Sequence, residues 1–388
     1  MNTNLVKGFN DYTGEKAFKR AKVKQIIEDT FKLYGFEPAE TPIIENRSFV
    51  QGDNINDEAV SDIYKLEDKG KRKLALRYEF TFQLKRLMKN KKLPYKRYQI
   101  GSVFRNEPIS TSRFRQFTQC DIDIINTKTK DEAEILSTIS DILNKLNIKF
   151  TIYINNRRLL NEILDDLGIK NKSAVIKEID KLDKLSEKEV KQNLKKYNAE
   201  KALLIFKKPK KYFEKYKAFQ EIKELEKFCK LYKIKTEFLA TLARGLSYYN
   251  GTIFEVKTKE MKETIFGGGA YLFNNIQCCG YAAGLDRLST LAKIDLDKNQ
   301  ILIISLNQDK AAIELAQKIR NQNIPCQTFY KKPSKALEYA NSYNIPYVIF
   351  LGDKEVKSKK IKIKDMKTGK EQALSNTQLT KFLEKLKN

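Results

Sequence analysis

Two strand-like segments joined by a long polar loop place the strongest constraint on the fold of this chain. Residues 96–106, KRYQIGSVFRN, and residues 117–125, FTQCDIDII, have the composition of β-strands. The loop between them, EPISTSRFRQ, is basic and exceeds the roughly two to five residues of common hairpin loops. The segment therefore predicts a β-hairpin whose long, charged tip has a function.

Alternation in the second strand separates two faces. Gln119, Asp121 and Asp123 lie on a polar face, and the residues between them are apolar. An exposed strand face would by itself explain this pattern. Together with Glu79 and Thr81 of the segment LRYEFT, however, Gln119 and Asp123 would form a cup for an ammonium group and a second polar group.

Other segments predict both helical and α/β regions. Residues 14–34 have the periodicity of an amphipathic helix, and residues 166–235 are rich in Lys, Leu and Glu with helical periodicity. Strands and helices alternate in residues 301–351, which is typical of an α/β domain. The three consecutive glycines of IFGGGAYLF indicate a strand whose backbone passes close to another group.

Positive charge is concentrated in two parts of the chain. The formal net charge is +26, to which residues 157–235 contribute +10 and residues 301–388 contribute +9. A lysine-rich proteome would explain part of this excess. Its restriction to two segments favours a surface that binds a nucleic acid.

The chain contains no histidine. This excludes Ser-His-Asp triads, HExxH zinc sites and imidazole bases, so any chemistry must use carboxylates, Arg, Lys, Tyr, backbone donors or a bound metal ion. Five cysteines without a CxxC pair argue against a zinc site and a disulfide framework, and indicate a reducing cytoplasm. We expect no membrane span and no secretory signal, because no apolar run is long enough for either.

Three arginines lie among apolar or small residues in separate segments: Arg105 in FRNE, Arg244 in TLARGLSYYN and Arg287 in GLDR. A buried charge without a partner is costly, so each needs an anion. One such arginine alone would most simply form a structural salt bridge. Three of them favour an anionic ligand, because the forked guanidinium suits phosphate oxygens. We expect Arg244 in particular to have no carboxylate partner in the protein.

Several segments resemble the motifs of class II aminoacyl-tRNA synthetases, in the same order. Residues 96–125 resemble motif 2, CCGYAAGLDRLSTLA resembles motif 3, and the helix of residues 14–34 with EPAETPII resembles motif 1. TLARGLSYYNGTIFEV and FGGGAY resemble RGLDYYxxTxFE and GGGRYD, two signatures of the histidyl-tRNA synthetases. FRxE alone would be weak, but the ordered set is specific and covers nearly the whole chain.

This resemblance implies a fold and a division into domains. The core would be the antiparallel β-sheet of a class II catalytic domain, flanked by helices, in a multidomain α+β and α/β protein. We expect the catalytic domain in residues 1–165 and 236–296, a small helical insertion in residues 166–235, and a C-terminal α/β anticodon-binding domain in residues 300–388. Motif 1 further implies a homodimer with a two-fold interface.

The resemblance also implies roles for individual residues. Arg105 and Arg244 would be catalytic, acting on the α-phosphate of ATP and on the carboxylate of the amino acid. The expected ATP-binding residues are Arg105, Glu107, Arg113, Phe117 and Arg287. The expected histidine-binding residues are Glu79, Thr81, Gln119, Asp123, Tyr248 and Tyr249, with Asp123 and Tyr249 on the two imidazole nitrogens.

The implied reaction is the ATP-dependent ligation of L-histidine to tRNA(His) through a histidyl-adenylate. ATP is a substrate, Mg²⁺ bridges its phosphates, and no metal site built by the protein is expected. A carboxylate that attacks the α-phosphorus is already a nucleophile and needs alignment and charge cancellation, not a base. The absence of histidine from the chain is therefore no obstacle to this chemistry.

Two departures from the signatures and three alternatives accompany this interpretation. Ser247 stands where the first signature has an acid, and Ala270 and Leu272 replace the Arg and Asp of the second. A non-catalytic paralogue, the histidine-sensing regulatory subunit of ATP phosphoribosyltransferase, is one alternative, although such paralogues typically lose the signature arginine and the anticodon domain. A class II synthetase for another amino acid and a purely RNA-binding module are the others.

Overall fold

An eight-stranded mixed sheet forms the centre of the first of the two units into which the chain divides, Met1–Ile294 and Asp295–Asn388. The computed structural model describes residues 1–52, 58–110, 113–183, 185–244, 248–296 and 300–387. In chain order, the elements of the first unit are α1 (Gly14–Leu33), β1 (Glu37–Pro38), β2 (Ile44–Asn46), α2 (Arg47–Gln51), α3 (Glu58–Ser61), β3 (Lys65–Glu67), β4 (Lys73–Leu76), α4 (Leu84–Leu87), β5 (Tyr95–Phe104), β6 (Gln116–Ile125), α5 (Thr129–Lys145), β7 (Thr151–Asn156), α6 (Arg157–Asp166), α7 (Lys172–Asp180), α8 (Glu187–Leu194), α9 (Lys201–Phe206), α10 (Phe219–Leu231), β8 (Thr236–Phe238), β9 (Tyr249–Thr258), β10 (Met261–Phe273), β11 (Ile276–Gly284) and α11 (Leu285–Leu291).

The large sheet is mostly antiparallel, as the resemblance implies. Its strand order is β1-β5-β6-β11-β10-β9-β7-β8. The edge pairs β1–β5 and β7–β8 are parallel, and the strands between them pair antiparallel. The predicted hairpin is β5–β6, in which Gly101 pairs with Gln119. A small antiparallel sheet, β2-β4-β3, lies in the same unit.

The two faces of β6 are both buried. Cys120, Ile122 and Ile124 have no exposed surface and share a hydrophobic core with α5. On the opposite face, Gln119, Asp121 and Asp123 are at most 4% exposed. The polar face is thus not an exposed strand face, and its charges need partners inside the protein.

One carboxylate joins the N-terminal segment to the hairpin and to the helix that follows β11. Asp286 on α11 accepts hydrogen bonds from the hydroxyl of Tyr12 at 2.6 Å, from Nη1 of Arg20 at 2.5 Å and from the backbone amide of Thr118 at 3.1 Å. Burial and Asp286 together raise the pKa of Tyr12 to about 12, so this hydroxyl keeps its proton and stays a donor.

The helical region that follows α6 packs onto the sheet through aromatic contacts. The ring of Phe238 on β8 lies 5.2 Å from that of Phe213 and 5.3 Å from that of Phe219, both edge-on. Such edge-to-face pairs contribute roughly 0.5–1.5 kcal/mol each beyond the area that they bury. The region is therefore attached to the core.

The second unit is an α/β domain with its own core. Its elements are β12 (Ile301–Ser305), α12 (Asp309–Arg320), β13 (Cys326–Phe329), α13 (Pro333–Ser342), β14 (Tyr347–Leu351), α14 (Asp353–Ser358), β15 (Lys360–Asp365), β16 (Glu371–Ser375) and α15 (Asn376–Lys387). The strand order is β13-β12-β14-β15-β16, parallel among the first three strands and antiparallel for the last two pairings. In neither unit does a described helix have the length and apolar character to cross a bilayer.

Glu132 on α5 provides a pH-dependent element in the core of the first unit. Glu132 is 7% exposed, and burial raises the pKa of its carboxyl to about 7. A hydrogen bond from Thr252 of β9 opposes this shift only in part. The unfolded chain releases this proton near its ordinary value of 4.5, whereas the folded protein holds it until about pH 7. We expect the free energy of unfolding to fall by about 3 kcal/mol across this window through Glu132 alone.

Denaturant titrations of the wild type and Glu132→Gln at pH 5 and pH 8 measure this contribution. Between these two pH values, the wild type should lose more stability than Glu132→Gln. The exposed substitution Glu15→Gln is the matched control and should follow the wild type. Parallel profiles of wild type and Glu132→Gln would contradict the assignment.

Candidate functional site

Arg105 directly follows β5, and each of its three guanidinium nitrogens lies near a polar group. Nε donates to the carbonyl oxygen of Tyr78 at 3.0 Å, and Nη2 donates to the side-chain oxygen of Gln119 at 3.4 Å. The guanidinium carbon lies 5.3 Å from the ring centre of Phe117, at the start of β6. The hairpin thus holds the predicted residues Arg105, Gln119 and Phe117 together in one place.

Glu107, one of the predicted ATP-binding residues, is paired with two arginines. Its carboxylate lies 3.3 Å from Nη1 of Arg113 and 3.7 Å from Nη1 of Arg105. Both pairs are partly exposed, so they contribute little to stability. These pairs bring Glu107 and Arg113, which lie at different points of the hairpin loop, close to Arg105.

Arg287 on α11 belongs to the same group. Its Nη1 donates to the carbonyl oxygen of Thr264 on β10 at 2.7 Å. Burial is the main cause that lowers the pKa of Arg287, and the neighbouring Arg113 and Arg105 lower it further. Glu263 and Glu107 raise it, but the net shift is downward. Arg105, Arg113 and Arg287, which we call the arginine cluster, therefore repel one another. An anionic ligand would relieve this repulsion.

Arg244 has a carboxylate partner, so the expectation that it is unpaired was wrong. Its Nη1 lies 2.7 Å from Oε1 of Glu255 on β9. Burial lowers the pKa of Arg244, but Tyr249 and Glu255 outweigh it and the net shift is upward. Its Nε makes no hydrogen bond to the described residues, so the guanidinium keeps donor capacity beyond the ion pair.

A glycine explains where the Arg244 guanidinium lies. It crosses the backbone of Gly267 on β10 so closely that a Cβ there would be 2.3 Å from Nη1. Arg244 itself has a φ of 56°, a left-handed conformation that costs a residue with a side chain of order 1 kcal/mol. The first of the three consecutive glycines thus admits the arginine, which meets the prediction of a close approach.

Several residues predicted to bind histidine interact with one another beside the arginine cluster, and we call this group the proposed histidine pocket. Glu79 is hydrogen-bonded to Thr81 and interacts with Arg105 and Asp123. Tyr248 and Tyr249 are hydrogen-bonded to each other, their rings 4.7 Å apart, and Glu79 raises the pKa of both. Burial raises the pKa of Glu79 because it disfavours the charged carboxylate, and a cation placed beside Glu79 would favour that charged form.

Asp123 already has two partners in the protein. Its Oδ2 lies 2.5 Å from Nη2 of Arg97 on β5, and its Oδ1 accepts from the hydroxyl of Tyr271 on β10. Gly280 on β11 gives it room, because a Cβ there would lie 2.2 Å from Oδ1. Burial raises the pKa of Asp123 and Arg97 lowers it, with a net upward shift.

Asp121 is a further carboxyl group behind the pocket. Its Oδ2 accepts from the amide of Gln119 at 2.7 Å, which turns the Gln119 oxygen toward Arg105. Burial raises its pKa well above the ordinary value, in spite of Arg97, so its proton is held more tightly than that of a free aspartic acid. Three carboxyl groups, those of Glu79, Asp121 and Asp123, thus lie near one another and near the fully buried Arg97.

Sequence reasoning gave no role to Glu255, Arg97 or Tyr271. Glu255 lies within the signature-like segment TLARGLSYYNGTIFEV, but nothing there says that it meets Arg244. Arg97 appears in KRYQ as one basic residue among several. Tyr271 follows Ala270, which is buried, and precedes Leu272, which is 50% exposed. Gly245, Leu246 and Ser247 lie outside the described residues, and so does the departure at Ser247.

Comparisons with known proteins identify the family of the chain. The family profile for histidyl-tRNA synthetase matches residues 8–288, and the profile for an anticodon binding domain matches residues 300–386. A relative named histidine–tRNA ligase 1, from Bacillus cereus, is 33% identical over 99% of this chain and its own full length. The chain belongs to the histidyl-tRNA synthetase family.

Solved structures show the same fold. Histidyl-tRNA synthetase from Nostoc sp. PCC 7120 superposes with a TM-score of 0.87 over 100% of this chain and 99% of that one, at 23% identity. A Bacillus halodurans protein described as an ATP phosphoribosyltransferase regulatory subunit/histidyl-tRNA synthetase gives 0.75 over 88% of this chain and 96% of that one, at 18% identity. The class II synthetase fold with a C-terminal α/β domain, expected from the motifs, is confirmed.

The pair Arg97–Asp123 should make the pocket sensitive to loss of one charge. Asp123→Asn leaves a buried guanidinium unpaired, and we expect it to lower the free energy of unfolding by about 3 kcal/mol or more. The double variant Arg97→Met with Asp123→Asn removes that charge and should recover at least half of the loss. Denaturant titration measures both.

Asp165→Asn is the matched control, because its partner Lys172 lies at the surface at 2.8 Å. Exposed pairs are worth about 0–1 kcal/mol, so this variant should stay close to the wild type. Equal losses for Asp123→Asn and for the double variant would show that Arg97 is not stabilised by Asp123.

Proposed function

We propose that this protein ligates L-histidine to tRNA(His) with ATP, through a histidyl-adenylate, as a class II aminoacyl-tRNA synthetase of protein biosynthesis. One observation carries the proposal: the arginine cluster lies beside the buried acidic pocket, with Arg105 acting on Glu79. An amino acid that reacts with ATP presents an ammonium and a carboxylate next to a triphosphate. It therefore needs a negative pocket and a positive cluster side by side.

In this proposal the acidic pocket receives histidine. Glu79, Thr81 and Gln119 accept the ammonium group, and Asp123 and Tyr249 meet the two imidazole nitrogens, with Tyr248 completing the wall. A carboxylate offers about four acceptor positions. Asp123 can thus accept an imidazole N–H in addition to Arg97 and Tyr271.

The arginine cluster receives ATP. Arg105 binds the α-phosphate, Arg113 and Arg287 bind the outer phosphates, and Phe117 stacks on the adenine. Glu107 accepts the adenine amino group. Because Glu107 lies 3.3 Å from Arg113 in the free protein, nucleotide binding would transfer Arg113 from this carboxylate to a phosphate.

Adenylate formation joins a carboxylate oxygen of histidine to the α-phosphorus and breaks the bond to the bridging oxygen, releasing pyrophosphate. Two anions must approach each other, so fixed positive donors lower the barrier. Arg105 and Arg244 supply them. Glu255 holds one end of Arg244 at 2.7 Å, so the guanidinium is oriented before the substrates arrive.

Mg²⁺ would come with ATP in this reaction. Among the described residues there is no group of three carboxylates or thiolates able to hold a metal ion. The acids nearest the arginines, Glu107 and Glu255, already have arginine partners. Phosphate oxygens would therefore be the main ligands of Mg²⁺, whose contribution is to neutralise their charge.

The second step transfers the histidyl group to RNA. The 3′-hydroxyl of the terminal adenosine attacks the acyl carbon, AMP leaves, and a phosphate oxygen of the adenylate accepts the hydroxyl proton. We assign this chemistry to a catalytic domain of residues 1–165 and 236–296. A helical insertion of residues 166–235 and an anticodon-binding domain of residues 300–388 would hold the tRNA.

The regulatory-subunit alternative has less support. It rests on a neighbour of 18% identity, whereas relatives named histidine–tRNA ligase match the chain over its length at about 33%. Arg244 and the C-terminal α/β unit, which such paralogues typically lose, are both present.

Cytoplasmic location is also proposed, because the five cysteines are all free, and cell fractionation tests it.

We propose a homodimer built through the motif 1 segment. Ile43 and Ile44 are 44% and 51% exposed, and Leu93 is 40% exposed, which is unusual for large apolar side chains unless a partner covers them. Light scattering should give twice the 45.2 kDa of one chain. Ile44→Glu should reduce this mass to one chain, and a wild type that is already monomeric contradicts the proposal.

Histidine-dependent exchange of pyrophosphate into ATP tests the function. We expect exchange with L-histidine and not with the other amino acids. Arg244→Ala should lower the rate by at least about 10³-fold, because it removes a fixed donor at the phosphorus. Gly267→Ala should also lower it strongly, since its Cβ would displace the Arg244 guanidinium.

Arg72→Ala is the matched control, because this arginine is 77% exposed and pairs only locally with Asp68. It should keep the wild-type rate. Near-normal exchange by Arg244→Ala would remove this residue from the mechanism. Histidine binding without exchange in the wild type would support the regulatory alternative.

A further inference from the structure

A basic cleft opens beside the proposed histidine pocket. This α6–α7 cleft is formed by Arg157 and Asn161 on α6, residues 170–174 with Lys177 around the start of α7, and Tyr249 with Asn250 on β9. Its volume is about 760 Å³. Four of its side chains are cationic, and none of the described residues that line it carries a carboxylate.

Arg157 is the unusual member of this lining. It is 8% exposed, and none of the described residues lies within hydrogen-bond or ion-pair distance of its guanidinium. Burial lowers its pKa, and Asp180 on α7 opposes this only through longer-range attraction. A buried guanidinium is costly without a partner, so its position in the cleft indicates an anionic ligand.

The start of α7 offers backbone donors to the same ligand. The first intrahelical bond runs from the amide of Val175 to Asn171, which leaves the amides of Lys172, Ser173 and Ala174 without helical acceptors. The side chain of Asn171 makes no capping hydrogen bond. Free amides and the positive end of a helix are a common binding site for phosphate, and α7 is 9 residues long.

We propose that the α6–α7 cleft binds a phosphodiester in the single-stranded 3′ end of the acceptor RNA, with Arg157 and the start of α7 as its donors. Tyr249 borders both this cleft and the proposed histidine pocket. A strand whose phosphate lies on Arg157 would therefore have its terminal nucleotide next to the amino acid. This inference rests on the proposed function, because it names where the RNA substrate of that reaction enters.

The test compares two RNAs with two variants of matched charge. The RNAs are a transcript of tRNA(His) and the same transcript without its unpaired 3′ nucleotides. Arg157→Gln should weaken binding of the intact transcript about tenfold, as loss of a charge-assisted hydrogen bond does, and leave the shortened transcript unchanged. Lys188→Gln removes an exposed charge of the same region outside the cleft and should change neither affinity.

Salt dependence gives a second readout of the same contact. For the intact transcript, the slope of log affinity against log salt should fall by about 0.7 in Arg157→Gln, because one phosphate contact to a single strand is lost. Lys170→Glu changes an exposed residue of the same lining, so it tests the cleft even if Arg157→Gln fails to fold. It should weaken binding of the intact transcript and leave binding of the shortened transcript unchanged. Melting curves of both variants show that they are folded.

Several results would overturn the inference. Unchanged affinity in both cleft variants, or equal weakening of the intact and shortened transcripts, would remove the 3′ end from the cleft. Inorganic phosphate that binds the wild type but not Arg157→Gln, without competing with the intact transcript, would identify a site for free phosphate. Wild-type pyrophosphate exchange needs no RNA, so its absence would count against the proposed function and not against this cleft.

Discussion

The ion pair between Arg97 and Asp123 is the interaction on which the site depends. Arg97 belongs to β5, Asp123 to β6, and Tyr271, which donates to the same carboxylate, to β10. Gly280 on β11 leaves the space that the Asp123 carboxylate fills. One buried group thus fixes four strands of the sheet relative to one another, and a pair in this position is kept only if both charges remain. The contact that joins these strands therefore also positions Asp123 in the proposed histidine pocket.

A second constraint places Arg244, the arginine that we propose to be catalytic. It adopts a left-handed backbone conformation and passes over Gly267, and Glu255 holds its far end. In the proposed mechanism this ion pair orients the guanidinium. Arginine has five N–H donors in a fixed fork, so one used by Glu255 leaves others for a substrate anion. Orientation before binding is what an electrostatic mechanism requires, because no energy is then spent on turning the donor in the transition state.

Much of the fold could be predicted from the sequence, because period and motif order are local signals. The hairpin β5–β6, the helix α1, the glycine strand and the alternating C-terminal unit all follow from such patterns. The convergence of Arg105, Gln119 and Phe117 follows from the register of one hairpin. Arg97 faces Asp123 in the register of the same hairpin, but nothing in KRYQ distinguishes this arginine from its basic neighbours as the one that is buried. Glu255 follows Arg244 by 11 residues on β9, and their contact depends on the left-handed backbone of Arg244 and on its passage over Gly267. The expectation of an unpaired Arg244 failed because a sequence pattern does not give that backbone conformation.

The distribution of charge explains how one protein can attract RNA without losing its selectivity for a nucleotide triphosphate. Residues 157–235 and 301–388 carry +19 of the net +26, so most of the long-range attraction for a polyanion comes from these two segments and not from those that carry Arg105 and Arg287. Around those arginines, Glu107 and Glu263 offset part of the positive potential, and exposed charges more than about 10 Å away are screened at cellular salt. In our proposal, RNA phosphates are attracted first by these two basic segments, and Arg157 in the α6–α7 cleft binds one phosphate while the arginine cluster stays available for ATP.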